Sequence, residues 1–157
     1  MAFDVFLKLD GIDGESTYKD FQKWITIESF SWGVTNAAPV GGAGAGKPAL
    51  QELHVVSPLQ ISSPKLFQKA AEGAIIKTGE LDVLTHGSLS FLKIELTDIL
   101  VSSFTMSGHL GDTLPKDSFS LRFARISESV AQRGPQGALI GDFFKYSFDF
   151  LKLVPAV

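Results

Sequence analysis

The sequence predicts a mainly β fold, a small β-barrel of two antiparallel sheets with one α-helix, and three observations lead there. Short segments alternate apolar and polar residues at a period of two, as half-buried strands do. The aromatic residues are 13 Phe against 2 Trp and 2 Tyr, and Phe is a bulky strand former with no polar handle. A single stretch carries a helical period between start and stop signals.

The elements follow in order. Phe3 to Asp10 alternates, with Phe3, Val5, Leu7 and Leu9 on one face, and Gly11 to Glu15 reads as a turn. Lys23 to Val34 reads as one long strand, with Trp24, Phe30 and Trp32 on one face and Ile25 and Ile27 on the other. A strand apolar on both faces is covered on both, by its own core or by a neighbouring subunit. From Asn36 to Pro48 the chain is Gly- and Ala-rich and carries Pro39 and Pro48, which no regular element tolerates. A long loop of this kind inside a compact domain is usually functional or mobile. Leu50 to Val56 returns to strand. The helix is expected over residues 64–77, capped by Ser63, opened by Pro64 and striped by Leu66, Phe67, Ala70, Ala71, Ala74 and Ile75, with Gly73 and Gly79 weakening or ending it. Strands resume at Glu80–Thr85, then at Leu89–Thr105 as two strands or one with a bulge, then at Asp117–Ala131. The last, Phe143–Leu151, places Phe144, Tyr146, Phe148 and Phe150 on one face, after a hairpin-like connection with an apolar tip. There is no internal repeat and no composition break, so residues 1–157 read as a single domain.

Bulk properties exclude several function classes. Lys plus Arg number 14 and Asp plus Glu 17, a net charge of −3, which offers no electrostatic footprint for nucleic acid or an anionic membrane. With no cysteine, disulfides, thiolate metal sites and a cysteine nucleophile are out. No apolar run is long enough for a membrane-spanning helix. Met1-Ala2-Phe3-Asp4-Val5 has neither a basic nor an apolar leader region, so the chain is expected to start cytoplasmic and to need any export route without a cleaved signal.

Catalytic motifs do not accumulate. Gly41 to Lys47 matches the start of a phosphate loop, but Pro48 stands where a metal-binding hydroxyl belongs and a strand follows instead of a helix. His54, His86 and His109 lie in separate segments without metal-ligand spacing. Asp10, Asp13 and Glu15 cluster where turn chemistry already explains them. No G-x-S-x-G elbow is present. We therefore expect no enzyme, no cofactor and no metal.

Phe30-Ser31-Trp32-Gly33, taken with Phe3–Leu9 and Asp13-Gly14-Glu15-Ser16, resembles the Hcp family, the tube protein of bacterial type VI secretion systems. The other pieces come in the family's order. The Gly/Ala loop ends in Gly46-Lys47, Ser63-Pro64-Lys65-Leu66 opens the helix, Ile99-Leu100-Val101-Ser102-Ser103 follows, and Ser120-Leu121-Arg122-Phe123-Ala124-Arg125-Ile126 comes late. The likeness covers almost the whole chain. It departs at Val55–Leu59, at Glu72–Thr78 and at Ser127-Glu128-Ser129.

The resemblance implies a hexameric ring of barrels, stacked into a hollow tube that a contractile sheath expels. Implied partners are other copies of the chain, a VgrG-type spike, the sheath and baseplate, and small secreted effectors. On this reading Asn36, Gly41, Gly44, Gly46 and Lys47, with Leu139 and Ile140 of the apolar 137–140 tip, contribute to ring or ring–ring contacts. Ser107, His109 and Leu110 belong to the ring mouth or lumen. A phage-like tail tube, or an effector or carbohydrate-binding barrel, are the alternatives.

Overall fold

The computed structural model describes residues 3–37, 40–41, 46–85, 90–134 and 139–156. Among them the strands are β1 (Phe3–Leu9), β2 (Ile25–Ile27), β3 (Ser29–Asn36), β4 (Pro48–Pro58), β5 (Ile75–Thr85), β6 (Ser90–Ser107), β7 (Lys116–Arg133), β8 (Leu139–Asp149) and β9 (Val154–Pro155). The helix α1 spans Ser63–Glu72.

All pairings are antiparallel, and the two expected sheets are halves of one nine-stranded sheet ordered β2-β1-β5-β6-β7-β4-β3, with β8 and β9 branching from β7. The ladder does not close on itself, yet its two end strands, β2 and β3, are consecutive in the chain and separated only by Glu28. The expected single strand from Lys23 to Val34 is therefore two strands bent at a corner. Side-chain amide chemistry stitches this seam. Gln60 Oε1 accepts from the Glu15 and Thr26 N–H groups at 3.2 Å each, and its Nε2 donates to the Thr26 and Pro58 carbonyls at 3.0 and 3.2 Å. The Glu28 N–H donates to the Val56 carbonyl at 2.8 Å.

The main core is aliphatic and Phe-rich: Leu7, Ile25, Leu53, Leu66, Leu81, Ile94, Ile99, Phe119 and Leu121 are all but fully buried, each burial being worth roughly 1.5–3 kcal/mol. β1 is covered on its other face too. Phe6 stacks on Phe21 at 5.1 Å, Phe21 meets Trp24 edge-on at 4.8 Å, and Leu84 completes this second cluster. The segment carrying Phe21 and Trp24 can lie this close because Gly14 has no side chain: a Cβ there would sit 2.4 Å from Ile25 Cα.

Three details differ from expectation. Phe3, at the end of β1, and Phe67, on α1, are exposed, Phe67 stacking on Phe104 at 6.2 Å. The helix does not reach residue 77, because Gly73 takes φ +64° and its N–H closes back on the Lys69 carbonyl, the left-handed C-terminal cap that ends helices. Ala74 and Ile75 lead into β5 instead. The N-cap is Ser62 rather than Ser63, without a side-chain cap hydrogen bond, and Ser63 is buried inside the first turn. Of the two readings offered for Leu89–Thr105, one strand with a bulge is found, the register slipping between Val101 and Ser103.

Candidate self-assembly surfaces

β7 is too long for one partner on its far edge. Its first part, 116–121, pairs with β4, and its last part, 125–133, pairs with β8. Where these partners diverge, the core face of the sheet is left uncovered. The result is an apolar groove of about 300 Å³, with Trp32, Val34 and Pro48 on one wall and Ile126, Tyr146, Phe148 and Phe150 on the other. Among the described residues Glu128 is its one charged lining residue. Tyr146 is 62% exposed and its strand neighbour on that face, Phe144, 71%. Phe148 and Phe150 pack edge-on at 5.0 Å, while Tyr146 and Phe144 leave the rim open. Sequence reasoning placed these aromatics on one face but not in the open; the apolar second face of the Trp32 strand was the available signal.

The loop residues singled out from sequence fall into two places. Asn36 ends β3 opposite Pro48, and its Nδ2 donates to the Gly46 carbonyl at 3.0 Å, closing the neck of the Gly/Ala loop. Gly41 turns with φ +80° beside a fully exposed Val40. Lys47 leads into β4. Gly44 lies outside the described residues, as do His86 and residues 137 and 138 of the apolar tip. Leu139 pairs with Arg133 where β8 begins, and Ile140 follows it.

Ser107, His109 and Leu110 lie at the opposite end of the sheet from Asn36. Ser107 pairs with Lys116 at the close of the β6–β7 hairpin. His109 Nδ1 accepts from the Gly111 N–H at 3.1 Å, and Leu110 projects fully exposed. Register fixes the geometry. Pro58, at the far end of β4 from the Gly/Ala loop, pairs with Lys116 beside the β6–β7 turn. The two tips, Val40 and Leu110, thus lie toward opposite ends of β4, whose 11 residues span roughly 35 Å. The end of β7 at Arg133 and the start of β8 at Leu139 lie on the same end of the sheet as Asn36 and Pro48. At the opposite end Lys116 Nζ donates to Glu28 Oε1 at 2.7 Å, a hydrogen bond that raises the Lys116 pKa, so the corner of the sheet is tied to the β6–β7 turn.

One polar network was not foreseen. Ser120 Oγ lies 2.6 Å from His54 Nδ1, and Glu52 accepts from Ser102 and sits 3.5 Å from Arg122 Nε. The pairing puts His54 and Ser120 directly across from each other on β4 and β7, a relation no single-sequence spacing announces. Ser120 is only 4% exposed, so a substrate carbonyl has no approach to its hydroxyl, and the network cross-links strands. Among the described residues, no group of three or more His, Asp or Glu is arranged to hold a metal ion, and no helix is long and apolar enough to cross a membrane.

The profile of the family described as "Type VI secretion system effector, Hcp" matches residues 6–129. The chain belongs to the Hcp family. It is 28% identical over 162 residues to Protein hcp1 of Pseudomonas aeruginosa, an alignment covering 99% of this chain and 100% of that one. Among solved structures, one described as a type six secretion system protein superposes with a TM-score of 0.93 at 26% identity, over 99% of this chain and 100% of its own. Hcp1 from Salmonella typhimurium superposes with a TM-score of 0.83 at 25% identity and the same coverage. As an Hcp, the chain is a tube protein of the type VI secretion system, from a family that is structural in role and secreted by that system.

Proposed function

We propose that this Hcp chain assembles into hexameric rings that stack head to tail into a hollow tube carrying small effectors. The observation behind this is the uncovered apolar groove at the β7 fork. A surface with Trp32, Tyr146, Phe148 and Phe150 along it and one carboxylate has the composition of an interface core, and leaving it in water costs what burial would return. A neighbouring copy that covers it with a different surface makes a heterologous contact, which closes into a ring when the rotation permits. The two exposed tips, Val40 at one end and Leu110 at the other, supply one ring face each. The spike, sheath and baseplate of the secretion machine are the proposed partners of the finished tube, and the lumen is the proposed carrier of cargo.

The test is the native mass of the purified chain, with negative-stain images of the same sample. Six-membered rings are expected, and Tyr146→Glu, which sets a charge directly opposite Glu128 on the neighbouring strand and in the groove wall, is expected to yield monomers with an unchanged far-UV spectrum. A chain that stays monomeric at high concentration, or a Tyr146→Glu variant that still forms rings, overturns the assignment of the groove.

A further inference from the structure

The face of the sheet opposite the core carries a row of charged residues that the assembly reading leaves unused. Across β1, β5 and β6, Lys8 stands opposite Glu80 and Glu80 opposite Glu95. In the next row Phe6 stands opposite Asp82 and Asp82 opposite Lys93. Two like charges directly opposed on neighbouring strands repel, and Asp10 adds a further carboxylate beside the same hollow. The cations compensate incompletely, because Lys93 Nζ lies over the Phe143 ring at 5.6 Å.

Asp82 is the anomaly in this cluster. It is 2% exposed, buried beside the Phe6 cluster; its Oδ2 accepts from Ser90 Oγ at 2.7 Å, while its Oδ1 is buried with no donor. A buried carboxylate oxygen without a donor carries its desolvation penalty uncompensated. The nearest candidate donor along β5 is Glu80, two residues away and on the same face of the strand. An ionised carboxylate accepts only, so a bond between two carboxyl groups requires a proton on one of them.

We propose that Glu80 and Asp82 hold one proton between them at and below neutrality, and that its release is a pH switch built into the β1–β5–β6 face. With the proton in place, Glu80–H supplies the donor that Asp82 Oδ1 lacks, and Lys8 faces Glu95 across a neutral group. Without it, Glu80, Asp82, Glu95 and Asp10 are all anionic around Lys8 and Lys93, and the β5–β6 pairing carries the repulsion. Burial, followed by the bond to and charge of Asp82, pushes the Glu80 carboxyl up to about 7, against the pull of Lys93 and Lys8. The sign follows from linkage. Between the ordinary value of 4.5 and about 7 the folded chain holds a proton that the unfolded chain has released, so stability falls as pH rises through this window and levels off above it. The switch does not depend on ring formation.

Two measurements test it. The side-chain carboxyl carbon of Glu80, followed by NMR in the intact chain, is expected to titrate with a midpoint near 7, and Asp82→Asn is expected to lower that midpoint. The difference in melting temperature between Glu80→Gln and the parent is expected to grow in favour of the variant from pH 5 to pH 8, since the amide donates to Asp82 at every pH. A Glu80 midpoint near 4.5, or parallel melting curves for the two proteins across this range, overturns the proposal. If Glu80→Gln fails to fold, the NMR midpoint of the parent chain decides alone.

Discussion

Four backbone groups from three segments of chain converge on the amide of Gln60: the N–H groups of Glu15 and Thr26 and the carbonyls of Thr26 and Pro58. Gln60 is 8% exposed, so water does not replace those bonds when the amide is lost. Gln60→Leu keeps the bulk and removes the chemistry, leaving buried backbone groups unpaired, and a loss of about 2–4 kcal/mol is expected. A fall in the urea midpoint at unchanged slope would show it. Nothing near Gln60 in the sequence marks it, because its partners at Glu15 and Thr26 lie 45 and 34 residues away. The same blindness hid the pairing of His54 with Ser120, 66 residues apart. Buried apolar positions were legible, since the alternation of Val5, Leu7 and Leu9 is local; long-range polar partnerships were not.

At the scale of single elements, α1 shows why two periodicities can be confused. Leu66, Phe67, Ala70, Ala71, Ala74 and Ile75 continue a helical stripe past the point where the helix stops, while Ile76 is already a buried strand residue of β5. Apolar residues three or four apart and two apart overlap over so short a stretch. The deciding residue is Gly73, whose φ of +64° is available to glycine without steric cost. Nothing lies within 4 Å of a Cβ added there, so Gly73→Ala tests backbone strain alone. A loss of about 1 kcal/mol is expected, read as a small fall in melting temperature without change in assembly. The corner at Glu28 was equally hidden, since one Glu between Ile27 and Phe30 looks like an ordinary outward-facing strand residue. What bends the chain there is the competition of β1 for β2 and of β4 for β3.

Across the whole molecule, family and strand content were readable because many weak signals fell in the right order, and the profile match over residues 6–129 agrees with them. The spatial grouping of the loops was not readable, since it depends on register. Asn36, Pro48 and the start of β8 at Leu139 share one end, while Ser107, His109 and Leu110 occupy the other. This polarity makes ring closure and ring stacking separable. Val40→Asp and Leu110→Asp each alter a fully exposed side chain, so neither should change the melting temperature. Each is expected to leave single rings intact by native mass and to abolish stacked rings in negative-stain images. Loss of the rings themselves would move the tips into the lateral interface.

The strands at the two ends of the sheet, β2 and β3, are made early and next to each other, yet the path that joins them runs through β5, β6 and β7. During synthesis the β1–β2 and β3–β4 pairs exist before β7, which begins only at Lys116, has left the ribosome. Both pairs wait with open edges until the middle of the sheet arrives. Such a connection order gives a large mean sequence separation between contacting residues, and chains of that kind fold in milliseconds to seconds rather than microseconds. Stopped-flow refolding of the monomeric Tyr146→Glu chain is expected to fall in that slow range.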